Sequence, residues 1–401
     1  MRALLINKFF YPRGGAERAF FEMDAALRAS GHETVHFALR DARNRPSPWA
    51  AYFPSEASFE GAVLGRAALR GAGRLFYSRE VRRRLRALLE AARPDVAIVH
   101  NAYHQLGPAV LLELRARGVA TVMVLHDYKV VCPAYSMLRE GALCEACAGG
   151  RFHQAARHGC GGSRARGVLL AAESYWQWRA LRTYAHVARF VAPSRYLVDT
   201  VRRMGFPFPV EVVPNAVTVP ATASDPALGT AVGFAGRLAP EKGVEVLLQA
   251  AARLPHLPLR IAGDGPLARW LAEQVSRRGL GNVTLVGHLD EARLDDEMRR
   301  WRLAVVPSVF ADNAPYAVLE PLARGIPVIA SDVGGIPELL DAGALVPRGD
   351  ATSLAGSVER LWSAPQECRR LGAAGRARVM ARHAPGGLVS RLEALLPARQ
   401  A

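Results

Sequence analysis

The stretch Ala231-Val-Gly-Phe-Ala-Gly-Arg-Leu-Ala-Pro-Glu-Lys-Gly243 decides how this chain reads. Its first five residues form a short apolar run of the kind a sheet buries on both faces. Gly236 to Gly243 is a glycine-bounded turn, and a helical pattern follows it before the next apolar run at Leu259 to Ala262. Strand, loop, helix and strand in that order form a parallel crossover.

The same alternation extends in both directions. Strands are expected at Ala3 to Ile6, Thr34 to Leu39, Asp95 to Val99, Ala120 to Leu125, Ala188 to Ala192 and Val210 to Val213. A second set follows at Ala231 to Ala235, Leu259 to Ala262, Val283 to Val286, Leu303 to Val306 and Val328 to Ala330. Each set predicts its own doubly wound sheet, so the fold class is α/β with two Rossmann-like domains, residues 1–215 and 228–384. The join is expected at Pro214 to Leu228, which has no apolar period. Helices are expected at Ser353 to Trp362 and Gln366 to His383, then a break at Pro385-Gly386-Gly387 and a last helix, 388–396, returning to the first domain. Facing domains of this kind make a deep interdomain cleft, with ligands outside the carboxyl ends of the strands.

Composition excludes several classes. Of 401 residues, 50% are hydrophobic and 22% charged, which rules out a disordered chain. No apolar run approaches the ~20 residues needed to span a bilayer. The first thirty residues, carrying Glu17, Glu22 and Asp24, lack a signal-peptide core, so a cytoplasmic enzyme is expected. Residues 1–215 hold 31 Lys and Arg against 17 Asp and Glu, whereas residues 216–401 hold 21 against 19. The basic first half favours an anionic surface or acceptor. Lysine occurs only at Lys8, Lys129 and Lys242, each beside a motif.

Those motifs follow strand ends. Gly14 and Gly15 permit close backbone approach before a helix whose first amides suit an anion. His126 can hydrogen-bond a substrate oxygen, with its neighbour Asp127 placed to fix the tautomer. Arg237 and Lys242 are expected to converge where a diphosphate sits, and a cation pair there lowers the cost of its departure. Gly263 to Ala268 formally matches the G-x-G-x-x-A dinucleotide fingerprint, with Pro266 replacing one amide donor. In the stretch Pro307 to Glu320, Pro315 suits a first helical turn, so the Ala314 to Ala317 backbone, with Asn313 and Tyr316, can address a phosphate. Glu320 suits the two hydroxyls of a ribose, and Asp312 suits positive charge on a sugar ring or, alternatively, a helix cap.

Taken in order, these motifs, with Pro193-Ser194, Pro214 to Val217 and Gly325 to Glu338, resemble glycosyltransferase family 4 over nearly the whole chain. The resemblance implies the GT-B architecture and retaining transfer from a nucleotide sugar to an acceptor hydroxyl, without an essential metal. It implies that Arg237 and Lys242 bind the diphosphate, that Glu320 holds the ribose, that His126 and Asp312 meet the sugar, and that Gly15 lies near the phosphates. One departure is Asp312, because the family usually has Glu there, and aspartate reaches roughly 1.5 Å less.

Four cysteines, Cys132, Cys144, Cys147 and Cys160, fall within one loop-like insert of about residues 130–165. A C-x-x-C pair with two outlying cysteines offers a structural zinc site, with free thiols as the alternative. The expected partners are a nucleotide-sugar donor, a saccharide or lipid-linked acceptor, and an anionic membrane face met by Arg66, Arg70, Arg74, Arg79, Arg82, Arg83, Arg84 and Arg86. The setting implied is polysaccharide, lipopolysaccharide or glycolipid assembly. Competing readings are a sugar-nucleotide epimerase of the same architecture and an NAD-dependent oxidoreductase. Nucleic-acid binding is disfavoured, because no basic face with interleaved aromatics is evident.

Overall fold

A computed structural model of the protein describes residues 1–55, 76–139 and 141–396. The chain forms two compact units, Met1–Val213 with the segment from Pro385, and Pro214–Ala384. Pro214 to Leu228, expected as a linker, therefore belongs to the second unit. There the Val217 N–H donates to the His383 carbonyl at 2.9 Å.

In the first unit the strands are β1 (Arg2–Ile6), β2 (Glu33–Phe37), β3 (Val96–Val99) and β4 (Ala120–Val124), then a small hairpin of β5 (Leu138–Arg139) and β6 (Ala142–Leu143), then β7 (Arg189–Ala192) and β8 (Val210–Val212). Six of them make a parallel sheet in the order β2-β1-β3-β4-β7-β8. Leu4, Leu5, Ile6 and Val96 to Val99 are buried as continuous runs, which is what helices on both faces of a parallel sheet require. The winding reverses between β1 and β3.

The second unit contains β9 (Ala231–Ala235), β10 (Leu259–Ala262), β11 (Val283–Gly287), β12 (Trp301–Val306), β13 (Val328–Ser331) and β14 (Leu345–Val346). Their order is β11-β10-β9-β12-β13-β14, all parallel, with the reversal between β9 and β12. In open sheets of this kind ligands bind beyond the strand ends at such reversals. Each unit therefore has a defined place to look for chemistry.

The last helix, Pro385–Leu395, packs on helix Gly15–Ala29 of the first unit. It buries Leu388, Val389 and Leu392, and His32 meets Glu393 at 3.0 Å. Pro385-Gly386-Gly387 forms its first turn rather than a break, since proline needs no amide partner at that position. Among the described residues no helix is long and apolar enough to cross a membrane. Arg66, Arg70 and Arg74 lie outside the described residues.

Candidate functional site

At the reversal of the second unit, the loop after β9 meets the loop after β12. Gly243 makes the meeting possible: its φ is +69°, and a Cβ there would run into the Pro307 carbonyl. Lys242 is thereby carried to Asp312, whose two carboxylate oxygens accept from its ammonium at 2.7 and 2.8 Å. Ser308 also donates to Asp312, at 2.7 Å. Gly334 closes from the other side, its φ of +61° bringing the chain against the Asp312 carbonyl, which accepts from the Gly335 N–H at 2.7 Å.

Asp312 is buried; its bond to Lys242 bridges the two loops, its bond to Ser308 braces the β12 loop from within, and the helix that follows is capped at Pro315. Helix Tyr316–Ala323 thus begins one residue later than Pro315 suggested, leaving Ala314 outside it. The Ala314 carbonyl accepts from Asn215 at 3.2 Å, and the Tyr316 hydroxyl donates to the Ala216 carbonyl at 2.8 Å. Asn313 is buried, while Glu320 sits partly exposed one turn into the helix. Arg237 takes a different partner: it is 61% exposed and reaches Glu241 at 3.6 Å. The two cations expected to converge thus engage separate carboxylates. Gly263 follows β10, donating to the Gly287 carbonyl at 2.8 Å. The Gly263 to Ala268 loop packs its backbone on the Arg237 turn, with Leu238 donating to Asp264 and accepting from Leu267, both at 2.9 Å. Close backbone approach accounts for these glycines: a Cβ at Gly263 would meet the Gly236 carbonyl, and one at Gly265 the Leu238 carbonyl.

At the reversal of the first unit, buried Asn7 joins the loops after β1 and β3: its Oδ1 accepts from the Asn101 N–H at 3.1 Å. Its amide donates to the Phe9 carbonyl at 2.8 Å and to the buried Glu17 at 3.3 Å. Gly14 caps helix Gly15–Ala29 in an extended conformation, and both glycines are exposed. Burial lowers the Lys8 pKa, although Glu17 and Asp127 oppose it. His126, after β4, has its Nε2 2.8 Å from Nδ1 of His100, and the two rings lie side by side, tilted by 18° with centroids 5.0 Å apart. Burial holds His126 at a pKa of about 4, so it is a neutral hydrogen-bonding group near pH 7. Asp127 instead accepts the Lys129 N–H at 2.9 Å, and burial raises its pKa.

Deeper in the same unit, Lys129 donates to Glu173 at 2.8 Å and to the Pro133 carbonyl at 3.0 Å. Glu173, wholly buried in helix Arg164–Tyr175, also accepts from Gln177 at 3.0 Å and pairs with His104 at 3.3 Å. Burial pushes its pKa up, but Lys129 and His104 prevail and hold it at about 2. The sequence singled out Lys129 by its rarity. Asn7, His100 and Glu173 were missed, although His100 directly follows a predicted strand. The pairing of Glu173 across 44 residues leaves no local signal.

All four insert cysteines are free. Burial pushes the Cys147 thiol up to about 12, with Cys132, Cys160 and Cys144 adding to the effect. Among the described residues, however, no three His, Cys, Asp or Glu side chains are arranged to hold a metal ion, so the expected zinc finds no assembled ligand set. The insert is anchored by Phe152, which packs on Tyr175 and Trp178 of the segment that follows it. Of the candidate membrane-facing arginines, Arg82 and Arg86 bind the fully buried Glu113 at 2.6 and 2.9 Å, leaving Arg79 and Arg83 exposed without that partner.

Comparison with known proteins adds a family to this geometry. Residues 13–219 match the family model Glycosyltransferase Family 4, and residues 229–378 match Glycosyl transferases group 1. Alpha-D-kanosaminyltransferase of Streptomyces kanamyceticus is 32% identical over 34% of this chain and 38% of its own length. Glycogen synthase of Mycobacterium tuberculosis is 34% identical over 41% and 42%. The chain thus spans about two fifths of the length of these relatives. Among solved structures, sucrose-phosphate synthase from Thermosynechococcus elongatus superposes with a TM-score of 0.72 at 20% identity, covering 98% of both chains. HepE of Anabaena in complex with UDP-glucose gives 0.68 at 16%, again over 98% of both. These likenesses give the fold, the GT-B class with two Rossmann-like units.

Proposed function

Because the chain belongs to glycosyltransferase family 4, we propose that it moves a sugar from a nucleotide-sugar donor to an acceptor hydroxyl, retaining the anomeric configuration. The observation that carries this reading is the Lys242–Asp312 ion pair at the reversal between β9 and β12. A diphosphate arriving there takes the ammonium from Asp312, and the exposed Arg237 adds a second cation. The bond from the anomeric carbon to the diphosphate oxygen breaks with its electron pair on the diphosphate, which both cations stabilise. The acceptor oxygen bonds to that carbon, and its proton leaves with the diphosphate.

Glu320 is assigned to the ribose, the first turn of helix Tyr316–Ala323 to phosphate, and neutral His126 to a sugar oxygen. Asp312, once released, faces the charge developing on the sugar. Neighbours solved with UDP-glucose support a nucleotide-sugar donor. The acceptor is proposed to be a saccharide or lipid-linked saccharide in polysaccharide, lipopolysaccharide or glycolipid assembly, at the inner membrane face. Exposed Arg79 and Arg83 support that location, and binding to anionic vesicles at low salt tests it. No metal is assigned to catalysis. A structural zinc in the insert is a separate proposal, resting on the spacing of Cys144 and Cys147 with Cys132 and Cys160 on either side; less than about half an equivalent of zinc in purified protein would remove it.

A panel of nucleotide sugars, read by thermal stabilisation and by transfer, tests the central reading. One nucleoside diphosphate sugar should stabilise the protein, and Lys242→Ala should abolish the effect. Interconversion of a nucleotide sugar without any acceptor would return the assignment to the epimerase. Family membership favours transfer over that alternative.

A further inference from the structure

We propose that His100 fixes the tautomer of His126 by donating its Nδ1–H to Nε2, so that His126 carries its own proton on Nδ1 and offers it to an oxygen acceptor. His100 is then a positioning residue for the transfer proposed above, and the kinetic part of the inference rests on that reading. Its backbone is fixed first: the His100 N–H donates to the Ile6 carbonyl at 2.8 Å, tying the end of β3 to the end of β1. The ring, with no exposed surface, is held between His126, nearly coplanar with it at 18°, and Phe20, 5.3 Å away and close to perpendicular.

Both imidazoles are neutral near pH 7, since burial lowers the His100 pKa well below its ordinary value and that of His126 to about 4. A neutral pair 2.8 Å apart shares one proton donor, and only two arrangements exist. If His126 donated, His100 would carry its proton on Nε2. That nitrogen is buried and has no hydrogen-bond partner among the described residues, so a buried N–H would be stranded. If His100 donates, the same nitrogen keeps only a lone pair, and a stranded acceptor is the more tolerable of the two. The second arrangement prevails. Asp127, the neighbour in sequence, is engaged by the Lys129 backbone, so a residue 26 positions away does the orienting.

The chemical consequence is selective. With Nε2 occupied as an acceptor, the remaining nitrogen of His126 is a donor, which suits a hydroxyl lone pair, a ring oxygen or a phosphoryl oxygen and disfavours a cation. The test uses full-length protein with 15N-labelled histidine, where two-bond 1H–15N spectra read the protonated nitrogen of each ring; loss of a signal in His126→Gln assigns it. In the parent protein His126 should be the Nδ1–H form. His100→Asn places an amide donor near the position of Nδ1 and should preserve that form, whereas His100→Phe keeps a flat ring without a donor and should release His126 to the Nε2–H form.

In transfer assays His100→Phe should lower kcat about tenfold with KM for the nucleotide sugar roughly unchanged, and His100→Asn should restore most of the loss. An Nε2–H His126 in the parent protein overturns the inference, as does an unaltered tautomer in His100→Phe. If His100→Phe does not fold, the parent and His100→Asn spectra still decide. The spectra need no substrate, so a failure of the transferase reading would leave the tautomer result standing.

Discussion

Asp312 shows what a single carboxylate does when its neighbour is a cation that a ligand will claim. Bound to Lys242, it neutralises the ammonium until a diphosphate competes for it. Replacing it by a neutral side chain should therefore help an anion bind: Asp312→Asn is expected to tighten nucleoside diphosphate binding about fivefold, roughly 1 kcal/mol, while impairing transfer. Lys242→Ala should do the opposite to binding, and isothermal titration measures both. Glu173 carries a different prediction. Its pKa falls from an ordinary 4.5 to about 2 on folding, so the stability it contributes is complete above about 4.5 and is lost as the pH drops toward 2. Glu173→Gln should flatten denaturant stability across that window. At neutral pH it should cost about 3–5 kcal/mol by leaving Lys129 buried with an uncharged partner.

At the scale of elements, the two reversals of winding organise everything functional. The β9 and β12 loops meet only because Gly243 occupies a left-handed conformation against the Pro307 carbonyl. Gly243→Ala should therefore destabilise the second unit by roughly 1–3 kcal/mol, read from its denaturation midpoint, and should weaken diphosphate binding as Lys242 shifts. The strands were legible because buried parallel strands are short apolar runs, but the same unbroken runs carry no alternation from which the register of β1 with β3 could be read. The two-residue β14 and the β5–β6 hairpin were not, since runs of two carry no period. Lys242 and Asp312 could be picked out individually from glycine spacing and charge. Their contact across 70 residues could not, and neither could the His100–His126 hydrogen bond, because such pairings are made by sheet order rather than by neighbours in the chain. The break read at Pro385-Gly386-Gly387 failed for a local reason: proline and glycine in a first turn resemble a loop.

For the molecule as a whole, the chain passes from the first unit to the second after Val213 and returns after Ala384. The returning helix buries its own Leu388, Val389 and Leu392 against the first unit, each worth about 1.5–3 kcal/mol when fully buried. A protein ending at Ala384 should thus lose stability in its first unit and keep that of its second. Hydrogen exchange should show faster amides in helix Gly15–Ala29 and unchanged amides in β9 and β12. If both units weakened equally, the helix would have a role beyond the face it covers.

The returning helix also sets an order of events during synthesis. Chains emerge from the ribosome amino end first, at ~5–20 residues per second. The segment that seals the first unit is translated after every residue of the second, so the earlier-made half waits, with one helix face bare, while the later-made half can already be complete. Nascent-chain quality control therefore meets this protein in an inverted sequence, its amino-terminal portion maturing last.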